Sequence, residues 1–122
     1  MKATQLDTFT RQYLETALWS STDGDGEPMD AQYGLSDFAP EALEKAAADC
    51  DKFRELAEAP MDSAEVGQKE AGHNFWLTRN GHGAGFWDGD YPEPEASELT
   101  RIAKGFGSQD VYAGDDGQLY LA

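Results

Sequence analysis

An α+β fold with the element order α-α-β-β-α-β-β is what this chain predicts, with two antiparallel hairpins forming a small sheet packed by helices. Three observations carry that expectation. Apolar residues recur at helical spacing in two long N-terminal stretches, an Asn80-Gly81 pair lies between two apolar runs, and "GDDG" near the end separates two short β-forming segments. At 122 residues the chain has the size of one domain, with room for a core that needs no disulfide or metal.

The first helix is read from "TQLDTFTRQYLETALWSS", where Leu6, Phe9, Tyr13, Leu14, Ala17 and Leu18 share one face and Thr4 with Asp7 resembles a capping box. "TDGDGEPMDAQYG" then breaks the pattern as a loop. The second helix starts at Pro40, a residue suited to the first helical position, and is expected to end at Pro60. Its buried stripe is Leu43, Ala46, Ala47, Cys50, Phe53 and Ala57. Residues 62–70 read either as a short turn capped by Asp62 or as a connector. A third helix in "ASELTRIAKGFG" buries Leu99, Ile102, Ala103 and Phe106 and stops at Gly105 or Gly107. "QDVYAGDDGQLYLA" reads as the closing hairpin.

Between these lies "AGHNFWLTRNGHGAGFWDGD", residues 71 to 90. A two-residue type I′ turn at Asn80-Gly81 predicts a hairpin in which Arg79 faces His82, Trp76 faces Gly85 and His73 faces Asp88. Alternation then places Phe75, Leu77, Ala84 and Phe86 on one side and Trp76 with Trp87 on the other. The tryptophan face is either covered by another element or left as a binding patch. In this register His73 and His82 stand roughly 20 Å apart at about 3.3 Å per residue, too far to share a zinc ion. His73 opposite Asp88 is the weak catalytic candidate, an oriented acid-base pair with Asn74 nearby, set against an end-of-ladder hydrogen bond.

The formal net charge is -15. Such a protein repels nucleic acid and anionic membranes and favours basic partners. Residues 20–70 hold fourteen acids against four bases, -10 of that total. On the second helix Glu41, Glu44, Asp51, Glu55 and Glu58 fall on one stripe, and Asp23 and Asp25 add acids in the preceding loop. Acids three or four apart rise about 4.5 to 6 Å, a spacing broadly like that of phosphates along a strand. The stripe is either a phosphate-mimicking ridge or an ordinary solvated face. "TDGDGEP" fails as a calcium loop, because Ser21 and Gln32 would stand where Asp and Glu are needed. No metal and no cofactor is expected. The single cysteine, Cys50, is expected to fill core space. No stretch has the roughly 20 apolar residues of a membrane span, and "MKATQLDTFT" lacks the apolar centre of a signal peptide, so the chain reads as soluble and intracellular.

"ALWSSTDGDGEP", "AGHNFWLTRNGHGAGFWD" and "YAGDDGQLY", in this order and over nearly the whole chain, resemble a group of small acidic proteins of tailed phages and prophages. The chain departs from that group's pattern at Asn74, where an acid is common, and at Gly89, where an arginine is common. The resemblance implies the cytoplasm of a bacterial host as the setting. It also implies a class of early phage proteins that bind and block nucleic-acid enzymes or defence complexes, some by imitating DNA. The expected function is a non-enzymatic binding protein or inhibitor of a basic host protein, such as a restriction, CRISPR or DNA-processing component. It would act through the acids named above, with Trp76 and Trp87 as apolar anchors. The alternatives are a small enzyme centred on His73 and Asp88, or an accessory protein of the virion.

Overall fold

In the computed structural model of the chain, which describes residues 1–122, the first helix begins at an aspartate. Asp7 turns its carboxylate onto the Thr10 amide at 2.8 Å and so caps α1, Thr8–Ser20. The cap expected at Thr4 falls instead in a short 3-10 turn, Ala3–Gln5. A loop and two further 3-10 turns, Met29–Ala31 and Leu35–Asp37, lead to α2, Pro40–Ser63. Pro40 occupies the first turn as expected, but α2 continues past Pro60. A proline in the last turn removes one amide that would have bonded backwards, while its own carbonyl still accepts from Ala64 at 3.0 Å.

The segment read as a hairpin is a helix. Gln68–Arg79 forms α3, and residues 74 to 79 are buried without interruption. A helix that is buried on every side needs no polar face, so apolar bulk on both faces of a supposed strand was equally the mark of an enclosed helix. Asn80-Gly81 ends α3 rather than turning a hairpin: the Gly81 amide bonds to the Thr78 carbonyl at 3.2 Å and the His82 amide to that of Leu77 at 3.0 Å. This is the double bond pattern of a Schellman cap, with Gly81 at φ +69°.

After α3 the chain runs through an irregular loop that folds back onto the helix. Phe86 reaches the core there, its amide held by Thr78 Oγ1 at 3.0 Å. Helix α4, Glu95–Lys104, buries Ala96, Leu99 and Ala103, with Ile102 and Phe106 half-buried and Gly105 at its end. The C-terminal hairpin is present: β1, Val111–Ala113, pairs antiparallel with β2, Leu119–Leu121, in the register Tyr112 to Tyr120. The sheet has two strands, not four. It is tied to the start of α2 by the Ala39 amide on the Leu119 carbonyl at 2.9 Å. The fold is thus a mixed one, four helices and one small antiparallel sheet.

Helices α1 and α3 run side by side in the same direction, with Gly72 against Phe9 and Trp76 against Ser20. Phe53 of α2 fills the space beside them, stacked on Phe75 at 4.2 Å and on Phe86 at 5.7 Å. Cys50 lies in this core fully buried, and burial pushes its thiol well above the ordinary range.

Candidate functional site

The acidic stripe of α2 survives intact. Glu41, Glu44, Asp51, Glu55 and Glu58 are all exposed, and at about 100° per residue they occupy an arc of about 100°. From Glu41 to Glu58 the stripe extends about 25 Å at about 1.5 Å per residue. Two of the five have partners: Asp51 meets Arg54 at 2.6 Å and Glu55 meets Lys52 at 3.9 Å. Arg54 is shared with Asp7 at 2.8 Å. Glu41, Glu44 and Glu58 form no ion pair.

The loop acids divide. Asp23 is committed to its own loop, accepting from the amides of Asp25 at 2.8 Å and Glu27 at 3.0 Å and from the Gln32 side chain. The Gln32 bond, followed by those amides, holds its carboxyl below the usual range. Asp25 remains exposed and free of ion pairs. No group of three or more His, Cys, Asp or Glu side chains is placed to hold a metal ion.

The proposed acid-base pair does not assemble. His73 sits on α3 with Nδ1 2.8 Å from Thr16 Oγ1, whereas the Asp88 carboxylate accepts from the Gly85 amide at 3.3 Å in the following loop. No hydrogen bond or ion pair joins them, because helix and loop replace the ladder that would have set them opposite each other. The ladder distance between His73 and His82 lapses for the same reason; the two line separate hollows. Asn74 is nearly buried, donating to Tyr91 Oη at 2.8 Å, and Tyr91 in turn donates to Glu70.

The tryptophan face also dissolves. Trp76 is 1% exposed, donating Nε1–H to Ser20 Oγ at 2.9 Å and meeting Tyr13 edge-on. It belongs to the core. Trp87, 47% exposed, stays at the surface by itself.

No family model, curated protein or solved structure matches the chain. What the molecule could do must therefore be read from its own surface.

Two features went unread in the sequence. Arg79, nearly buried, donates to the Gly107 and Phe106 carbonyls at 2.8 and 3.0 Å, to Tyr13 Oη at 2.8 Å and to Asp49 Oδ2 at 2.9 Å. It binds the end of α3 to α1, α2 and the segment after α4, and Asp49 is thereby withdrawn from the acids available outside. The second is Trp19, 61% exposed beside a groove of about 400 Å³ formed by α1, His73 and residues 30 to 35. Gln12, Glu15 and Trp19, three and four residues apart, are the signal that could have shown an aromatic on the outer face of α1. No helix is long and apolar enough to cross a membrane.

Proposed function

We propose that this protein is a non-enzymatic binding protein that engages a basic partner, a host nucleic-acid-binding or defence protein, through the acidic stripe of α2. The observation that carries the reading is the placement of Glu41, Glu44, Asp51, Glu55 and Glu58 on one solvent-facing arc of a 24-residue helix whose opposite face is anchored in the core. A rigid helix holds carboxylates at repeating intervals in a way that a loop does not, and this is what imitation of a charged strand requires. The two ion pairs on the stripe oppose this little, since exposed pairs contribute about 0–1 kcal/mol and an incoming cation can replace Lys52 or Arg54. The resemblance to small acidic phage proteins supports a bacterial host as the setting. Asp25 and Trp87 are exposed and available as secondary contacts, while Trp76 has no part.

The test is capture from bacterial lysate at about 0.1 M and about 1 M salt, between which the Debye length falls from about 10 to about 3 Å. The native protein should retain a basic, nucleic-acid-binding partner at the lower salt and release it at the higher. Reversal of Glu41, Glu44, Asp51 and Glu55 to Lys should abolish retention while leaving the circular dichroism spectrum unchanged. Capture that ignores both salt and reversal would end the acidic-stripe reading.

A further inference from the structure

The groove beside Trp19 is built from different residues than the α2 stripe, and its chemistry is more selective. Trp19 and the half-buried Tyr33 line it together with Glu15 and Asp30, and no lysine or arginine does. We propose that this groove receives an arginine side chain of the basic partner, the guanidinium lying against Trp19 and forking to Glu15 and Asp30. The proposal rests on the partner reading given above and deepens it by naming the group recognised.

Charge complementarity is the first support. Glu15 and Asp30 give the groove two carboxylates, and its one ionisable nitrogen base is His73. Thr16 Oγ1 accepts from Gln12 Nε2 at 3.0 Å and lies 2.8 Å from His73 Nδ1, which ties the imidazole to α1. Burial lowers the His73 pKa from its ordinary value. Lys69 lies in the adjoining hollow, next to Glu70, and not in the groove.

Shape and exposure are the second. Trp19 leaves most of its indole in water while His73 backs it at 6.0 Å, so the ring is both presented and supported. Exposed aromatics beside a concavity are the residues that most often dominate contact energy. At about 400 Å³ the groove is near the lower limit of ligand sites and suits one side chain rather than an extended ligand. The segment of the lining around Tyr33 is held in place: Tyr33 bonds through its amide to the Met29 carbonyl at 2.9 Å, and the Gly34 amide to Asp37 at 2.8 Å. Between the two cationic residues, arginine fits better, because its planar group stacks on an aromatic face and donates two parallel bonds to a carboxylate, whereas lysine offers a hydrated point charge.

The experiment uses the whole chain and three probes of equal length: tetra-arginine, tetra-lysine and tetra-glutamate peptides, followed by nitrogen-15 NMR and by tryptophan fluorescence. The arginine peptide should shift the Trp19 indole resonance and the amides of Gly34 and His73. Trp19→Ala should weaken that binding about tenfold. Glu15→Gln and Asp30→Asn, which preserve shape, should each weaken it about threefold or more, as expected for loss of a charge-assisted bond. The lysine peptide should bind more weakly and the glutamate peptide not at all. The inference is overturned if Trp19→Ala binds arginine peptide like the native protein, if lysine binds as well as arginine, or if the shifts are confined to α2. It is equally overturned if sedimentation shows a dimer that Trp19→Ala dissolves, since a second copy would then be the occupant. Arginine binding at Trp19 together with a lysate capture that yields no basic protein supports the groove's chemistry and brings down the partner reading alone.

Discussion

Replacing Gly72 by alanine should destabilise this protein, although the same change in the middle of an ordinary helix stabilises it by about 1 kcal/mol. A β-carbon at position 72 would stand 2.3 Å from the Phe9 carbonyl oxygen, 3.1 Å from the Phe9 carbonyl carbon and 3.3 Å from the Tyr13 amide nitrogen. Comfortable carbon–oxygen contacts begin at about 3.3 Å, so α1 and α3 must part by roughly 1 Å. The obstacle is backbone, with no rotamer to turn aside, and the separation loosens Phe9, Tyr13, Phe75 and Trp76 together. Overpacking typically costs about 1–3 kcal/mol, and this site belongs at the upper end. Less the propensity gain of about 1 kcal/mol, the net loss is about 2 kcal/mol. For a chain of this length that is roughly 6–10 °C in Tm, or about 1 M in the urea midpoint. Urea unfolding followed by circular dichroism reads it. Gly83→Ala is the control, since nothing lies within 4 Å of a β-carbon there; its stability should stay within about 0.5 kcal/mol of the native value. A Gly72→Ala protein as stable as the native one would refute the close packing of α1 on α3.

Arg79→Met should cost about 3 kcal/mol in the same assay, near the low end for breaking a buried pair because Asp49 keeps some solvent contact; a loss below about 0.5 kcal/mol would deny the clamp. Asp7→Ala should cost about 1 kcal/mol at pH 7. Partial burial works against the Asp7 carboxylate, but the Thr10 amide and Arg54 outweigh it, so its folded pKa lies below the unfolded value of 3.8. The advantage over Asp7→Ala is therefore whole above about pH 4 and fades as pH falls through the folded pKa, which urea titrations at pH 7 and about pH 3 would detect. Cys50 should react with a thiol reagent only as fast as the protein opens, and fully in denaturant. Acrylamide, a neutral quencher, should quench Trp19 and Trp87 and spare Trp76, which single-tryptophan variants resolve.

Much of the architecture is legible in local pattern. The faces of α1 and, apart from the half-buried Ala47, of α2, the position of Pro40 at a helix start, the core place of Cys50 and the closing hairpin about residues 114 to 117 all follow from periodicity and turn chemistry, and the structure has them. The segment from His73 to Asp88 is the exception. Asn-Gly satisfies positive φ in a type I′ turn and in a Schellman cap alike, so the dipeptide says that the chain turns and not what precedes the turn. Apolar bulk on two faces is likewise shared by a buried helix and a two-sided strand. Both ambiguities fell in one stretch, and they carried Trp76, Trp87, His73 and Asp88 into contacts they do not make.

The sequence by itself determined the charge and where it is concentrated, because net charge is additive and a long helix keeps its acids on one arc whatever it packs against. Tertiary structure alone decided that Gln68–Arg79 is a helix and that Trp76 is hidden while Trp19 is presented. It alone decided that Arg79 is drawn into the interior and onto a half-buried Asp49, and that Tyr33 and Trp19 line one groove. These depend on pairs far apart in the chain, whose meeting is set by how helices dock and exclude water, and no local spacing encodes that.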